Sequence, residues 1–286
     1  MEHFPIRTDL AVESRERCKE EEELRGVTCE ETYDEETNVT ITKVRVESEN
    51  GAKLIGKPIG TYLTIEAPEL AQADEGIHRE ISEVLARELK ELMGDQIRSV
   101  LVVGLGNREV TPDALGPHVV GNLYITRHLL KEYGAYAFPD KKVASISGVV
   151  PGVMAQTGME ALEIVKGIVK ETAPQCVIAI DALAARSIKR LGRTIQLADT
   201  GINPGSGVGN HRKGLNMQTL GIPVIAIGVP TVVDAGVIVY DACHDAEKIP
   251  AGLSGMFVTP KNIDETVKRL GYTISEALNK LFDLNF

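Results

Sequence analysis

Three short runs of this chain are apolar almost from end to end: Ser99–Gly104 (SVLVVG), Gln175–Ala182 (QCVIAIDA) and Pro223–Val229 (PVIAIGV). A strand with one wet face alternates apolar and polar residues. A short run without alternation is the pattern of a strand covered on both faces. Such strands imply a sheet, mostly parallel, with helices on either side. The intervening stretches supply the helices. Glu75–Met93 carries Ile77, Ile81, Val84, Leu85 and Leu89 at helical spacing and meets a stop at Gly94. Further helices are expected over Asp113–Leu130, Met154–Thr172 and Asp264–Phe282, and further strands at Lys142–Val150 and Arg193–Ala198. The fold class is therefore α/β.

The first third of the chain has a different grammar. Up to about Asn38 it is polar and acidic, with Glu20-Glu21-Glu22-Glu23, and predicts a solvated helix or an arm. From about residue 38 to 67, β-branched and aromatic residues flank Glu49-Asn50-Gly51, which predicts a small antiparallel β meander with a turn there. With 286 residues, one large domain with an elaboration is expected. The absence of Trp makes the core aliphatic. A net charge of −10 argues against nucleic acid or anionic membrane as partners. Four scattered cysteines, Cys18, Cys29, Cys176 and Cys243, form no CxxC pair and fit a reducing compartment. The N-terminus has no apolar signal region, and no apolar stretch reaches bilayer length, so a cytoplasmic location is expected.

In open α/β sheets, chemistry collects at the carboxyl ends of strands. Three loops stand there: Gly104-Leu-Gly106-Asn107 running into Thr111-Pro-Asp113; Asp181 to Ser187; and the glycine-rich stretch from Asp199 to His211, containing Gly205-Ser206-Gly207. Asp181 directly follows a buried run, where a carboxyl is expected to hold its proton unusually well. The plain alternative for both Asp113 and Asp181 is helix N-capping. The glycine loop matches neither a phosphate-binding nor a dinucleotide spacing. It reads as a tight connection, or as backbone that must approach a ligand closely. No histidine pairs obviously with Ser187 or Ser206, and no tight metal-ligand cluster is visible.

Taken in order, Val103-Gly-Leu-Gly-Asn107, Thr111-Pro-Asp-Ala-Leu-Gly-Pro117, Val150-Pro-Gly-Val-Met154, Ile178 to Ser187, Asp199 to Asn210 and Gly221 to Asp234 resemble the spore germination protease family of endospore-forming bacteria, as does Arg7-Thr-Asp-Leu-Ala-Val-Glu13. The resemblance runs over nearly the whole chain. It implies a three-layer α/β/α fold similar to that of the hydrogenase-maturation endopeptidases. It also implies an atypical aspartic-type endopeptidase, without cofactor or metal, that begins the breakdown of small acid-soluble spore proteins in the spore core. By resemblance the enzyme is a homotetramer made as a zymogen. Residues 1–9 are then a propeptide cut between Asp9 and Leu10, residues 10–286 are one peptidase domain, and Asp113 and Asp181 are the catalytic pair. One departure is the short stretch from Ala235 to Pro260, where family members are longer.

Two neighbouring carboxyls sharing a proton serve as base and acid for water attack on a peptide bond. Main-chain N–H groups of Gly104, Gly106 and Asn107, or of Gly205, Ser206 and Gly207, are candidates for the oxyanion or for gripping an extended substrate, and Arg186 for pairing with an acidic substrate residue or for a plain surface salt bridge. The alternatives are a metal-dependent peptidase using Asp113 and Asp181 with His118 or His211, and a module that binds an acidic peptide without cutting it.

Overall fold

The computed structural model describes residues 8–18, 25–72, 74–139, 141–205, 212–245, 249–253 and 255–284. Among the described residues nine strands form one continuous sheet. In chain order, the elements are α1 (Ala11–Cys18), β1 (Val27–Asp34), β2 (Val39–Val46), α2 (Glu49–Ile55), β3 (Gly60–Glu66), α3 (Glu75–Met93), β4 (Ser99–Gly104), α4 (Leu115–Gly121), α5 (Arg127–Tyr133), β5 (Ser145–Val149), α6 (Met154–Thr157), α7 (Ala161–Thr172), β6 (Cys176–Ala185), β7 (Thr194–Ala198), α8 (Met217–Leu220), β8 (Val224–Asp234), α9 (Ala235–Cys243), β9 (Phe257–Val258) and α10 (Ile263–Leu281).

The spatial order is β1-β2-β3-β7-β8-β6-β4-β5, with β9 paired to β8. The apolar runs form the parallel half, β8-β6-β4-β5. The meander strands form an antiparallel half, β1-β2-β3, joined through β7 to β8. One face, carrying Val100, Val102, Ile178, Ile180, Ile225 and Ile227, packs against α3, α4 and α10. The other carries Leu101, Val103, Val177 and Ala179 against α7 and α8, and Val44, Val46 and Tyr62 against α1 and α2. The result is the three-layer α/β/α arrangement. Helix α3 begins where Asp74 accepts the Ile77 N–H and stops at Gly94, with φ +76°. No helix among the described residues is long and apolar enough to cross a membrane.

Four expectations change. The polar N-terminal stretch contains β1, whose residues are largely exposed; it is a strand because β2 offers it a ladder of eight paired residues. Glu49-Asn50-Gly51 is the first turn of α2, because Ser48 caps it by accepting the Gly51 N–H. The long helix expected from Asp113 to Leu130 is broken into α4 and α5. Thr126 bonds to β5 through its N–H to Ile146 O, and its hydroxyl donates to Ala144 O just before that strand, which draws the chain out of the helical path. The helix expected over Met154–Thr172 is likewise two, α6 and α7, parted at left-handed Gly158.

Candidate active site

Strand β4 ends at Gly104, level with Ile180 of β6, while β6 continues to Ala185. The chain leaving β4 then folds back over the sheet's carboxyl end through a short 3-10 turn at Thr111–Asp113. That return works only with glycines. A Cβ on Gly104 would lie 2.3 Å from Gly116 O, and one on Gly106 would lie 1.9 Å from Asp113 O, with the Gly106 backbone at φ +106°. The outcome is that Asp113 is brought over β6 just past the end of β4, at Asp181, which lies within the strand and does not open a loop as expected.

Neither aspartate caps a helix. The N-cap of α4 is Ala114 with no side-chain bond, and Asp181 lies inside β6. Asp113 Oδ2 accepts the Asn107 N–H at 2.8 Å. Asp181 Oδ1 accepts the Ala182 N–H at 3.0 Å, and the residue is only 5% exposed. Burial holds the Asp181 carboxyl well above the usual carboxylate range. The charges of Asp113 and Asp9 push it further the same way, against the Ala182 N–H and the Arg212 guanidinium. The Asp113 carboxyl is also raised by burial, opposed by the Asn107 N–H and by Arg212. Both carboxyls thus hold their protons more tightly than a free aspartate, chiefly through burial, and the Asp113 charge adds to the effect on Asp181.

The pair faces a cleft of about 340 Å³ lined by Gly106, Pro112, Asp113, Asp181, Ala184, Gly205, Arg212 and Phe257, among others. Asp9 of the N-terminal segment also lines it. Past Ile180 the β4-side edge of β6 is free of β4, and this segment takes it. The Asp9 N–H donates to Ala184 O at 3.0 Å, and Asp9 Oδ2 accepts the Ala184 N–H at 2.9 Å. Glu13 accepts the Arg186 and Ser187 N–H groups and pairs with Arg190. Behind it, Leu10, Ala11 and Val12 are buried.

The remaining expected site residues separate. Gly106 and Gly205 line the cleft. Gly104 serves close packing against α4. The Asn107 N–H is committed to Asp113, and its side-chain oxygen accepts the Glu109 N–H and the Gln156 amide. The Arg186 guanidinium pairs with Asp241 at 3.2 Å, so it is the main chain of Arg186 that holds an acidic residue. Ser206, Gly207 and His211 lie outside the described residues. His118 is on α4, its Cβ close to where a Cβ on Gly271 of α10 would stand, and is not among the cleft residues. Among the described residues no group of three or more His, Cys, Asp or Glu side chains is placed to hold a metal ion. Sequence reasoning missed Arg212, Lys57 and Gln196. The only signal for Arg212 was a cation directly after the glycine loop.

Residues 6–246 match the family model described as germination protease. The chain is 43% identical to the germination protease of Clostridium perfringens (96% of this chain, 94% of that one), 44% identical to that of Caldanaerobacter subterraneus subsp. tengcongensis (96% and 93%), and 48% identical to that of Bacillus cytotoxicus (83% and 66%). Among solved structures it is similar to the [NiFe] hydrogenase maturation protease HycI of Thermococcus kodakarensis, at 20% identity and a TM-score of 0.36, over 67% of this chain and 99% of that one.

Proposed function

Because this chain belongs to the germination protease family, a peptidase family of spore germination, we propose that it is an aspartic-type endopeptidase that starts the breakdown of small acid-soluble spore proteins in the spore core. Asp113 and Asp181 act as its acid–base pair. The observation that carries this reading is that Asp113 and Asp181 line one cleft, with the Asp181 proton affinity raised first by burial and then by the Asp113 charge.

In the proposed reaction one carboxylate of the pair takes a proton from a water, and the water oxygen adds to the peptide carbonyl carbon. The protonated partner delivers its proton to the leaving nitrogen as the C–N bond breaks. Arg212 limits the charge the pair accumulates. The extended edge of β6 beyond Ile180 suits a peptide main chain, since the N-terminal segment already bonds there. Residues 1–9 are proposed to be a propeptide removed by self-cleavage between Asp9 and Leu10, leaving residues 10–286 as the working enzyme, assembled as a homotetramer. The presence of Asp9 beside the two aspartates supports this assignment.

The test is intact-mass analysis of a small acid-soluble spore protein incubated with protein beginning at Leu10, and with its Asp113→Asn and Asp181→Asn variants. Cutting after an acidic residue by the wild type alone is expected. Cutting by both variants would place the chemistry elsewhere.

A further inference from the structure

We propose that Lys57 and Gln196 form the oxyanion-stabilising pair for hydrolysis of this chain's own Asp9–Leu10 bond. The proposal rests on the reading that this bond is the one cut. Two side-chain donors converge on a single main-chain oxygen there. Lys57 Nζ donates to Asp9 O at 2.8 Å, and Gln196 Nε2 donates to the same oxygen at 3.1 Å. Gln196 Oε1 also accepts the Ala11 N–H at 2.7 Å. One amide side chain therefore clamps the chain on both sides of the Asp9–Leu10 bond.

The sheet register aligns this clamp with the aspartates. Asp181 of β6 and Gln196 of β7 are both direct partners of Gly228 in β8. Directly opposed residues share a face of the sheet, and strands lie about 4.8 Å apart, so the two Cα atoms stand about 10 Å apart with side chains on one face. Gly228 has no side chain of its own, and the Leu183 side chain leans over it, where a Cβ would stand 2.4 Å from Leu183 Cδ1. Residue 9 lies over this strip. Its N–H and carboxylate are at Ala184, and its carbonyl is turned toward Lys57 and Gln196. Lys57 is half-buried: burial lowers its proton affinity, the charges of Asp9 and Glu13 support the ammonium against that, and the charge meets a weakly screened oxygen.

An ammonium and an amide N–H on one carbonyl oxygen polarise it at rest and stabilise it more as it becomes an oxyanion. In the step, water oxygen bonds to the Asp9 carbonyl carbon, and its proton passes to the Asp113–Asp181 pair. The carbonyl electron pair moves onto the oxygen held by Lys57 and Gln196. As the carbonyl re-forms, the C–N bond breaks and the Asp113–Asp181 pair returns the proton to the Leu10 nitrogen, leaving a free carboxyl at Asp9 and a free amine at Leu10.

The experiment follows loss of residues 1–9 by intact mass during cell-free synthesis of the full chain. Lys57→Met is expected to slow the cut by about 10²-fold or more. Gln196→Glu, which keeps an acceptor for Ala11 but removes the donor, should slow it comparably, and Lys57→Arg should restore part of the rate. Hydrogen exchange at residues 10–13 is read in an uncut Asp181→Asn background, where Lys57→Met is expected to leave protection unchanged. Undiminished cutting in Lys57→Met and Gln196→Glu would overturn the proposal. So would a lost cut accompanied by lost protection, because Lys57 would then be only an anchor. A wild-type chain that keeps residues 1–9 overturns the self-cleavage reading itself and this proposal with it, and is told apart because the failure appears without any substitution.

Discussion

The two halves of the sheet are built from the same kind of backbone ladder but do different work. The parallel half, β8-β6-β4-β5, is covered on both faces and carries Asp113 and Asp181 at its carboxyl end. The antiparallel half, β1-β2-β3-β7, reaches out to a largely exposed β1, and what it brings to the cleft is a grip on the N-terminal segment. Gln196 on β7 and Lys57, in the loop between α2 and β3, hold residues 8–11. Arg190, just before β7, ties Glu13 and Glu16 to Glu66 of β3. The lesson is a division of labour across β8: the proposed acid–base pair lies on one side, and on the other lie the residues that hold the N-terminal segment and, in the proposal above, polarise its Asp9 carbonyl.

The sharpest break in this comparison is Asp181→Asn. Peptidase activity should fall by about 10³-fold or more, with folding stability kept or raised at neutral pH. The sign follows from the raised folded-state carboxyl. Its stabilising share is complete below the unfolded carboxylate value and is lost as pH rises through the higher folded value. Denaturant melts of both proteins from acid to neutral pH should therefore show the variant gaining on the wild type with rising pH. A variant that loses stability at pH 7 would mean that Asp181 is a structural anion.

Gly106→Ala comes next. Its φ of +106° and the 1.9 Å approach to Asp113 O force the turn to move. A cost of about 2–4 kcal/mol, with activity lost beyond what unfolding explains, is expected from melts and initial rates. Arg190→Ala tests the other half. Removing one cation from three carboxylates should cost about 1–3 kcal/mol and raise hydrogen exchange selectively in residues 10–18, while β4 and β6 stay protected. The smallest effect should be Lys43→Ala, which breaks an ion pair with the exposed Glu91 at 2.7 Å. Its melt should shift by less than about 1 kcal/mol. A large shift there would show that the antiparallel half contributes more to global stability than its exposed edge suggests.

What was legible in the sequence follows the same division. The strands of the parallel half announce themselves because burial on both faces removes polar residues from them, and α3 and α10 because one face of each is buried. Strand β1 was invisible because its residues are chosen by the solvent on both sides, and only pairing with β2 makes it a strand. Asp113 and Asp181 were singled out by position and by family motif, and the structure brings both to one cleft, with Asp181 inside β6 and not at its end. Position alone left capping open, since the same residue type serves both uses. Lys57, Gln196 and Arg212 could not be found that way. Lys57 and Gln196 lie 139 positions apart, and no local pattern marks residues that meet only through the order of strands.

One buried side chain has a consequence for timing. Leu10 is 0% exposed, and its N–H donates to Thr8 Oγ1 at 3.1 Å. Under the proposed processing, Thr8 departs with the cut piece and the Leu10 nitrogen becomes an ammonium. A new positive charge in an apolar seat costs several kcal/mol unless it finds water or a partner. Hydrolysis would therefore create its own driving force for unseating residues 10–13, and rejoining the ends would require driving that charge back into the dry seat. The cut then acts as a ratchet. The same event that ends the segment's life as an insert frees the Ala184, Arg186 and Ser187 N–H groups for the next acidic chain that comes to the edge.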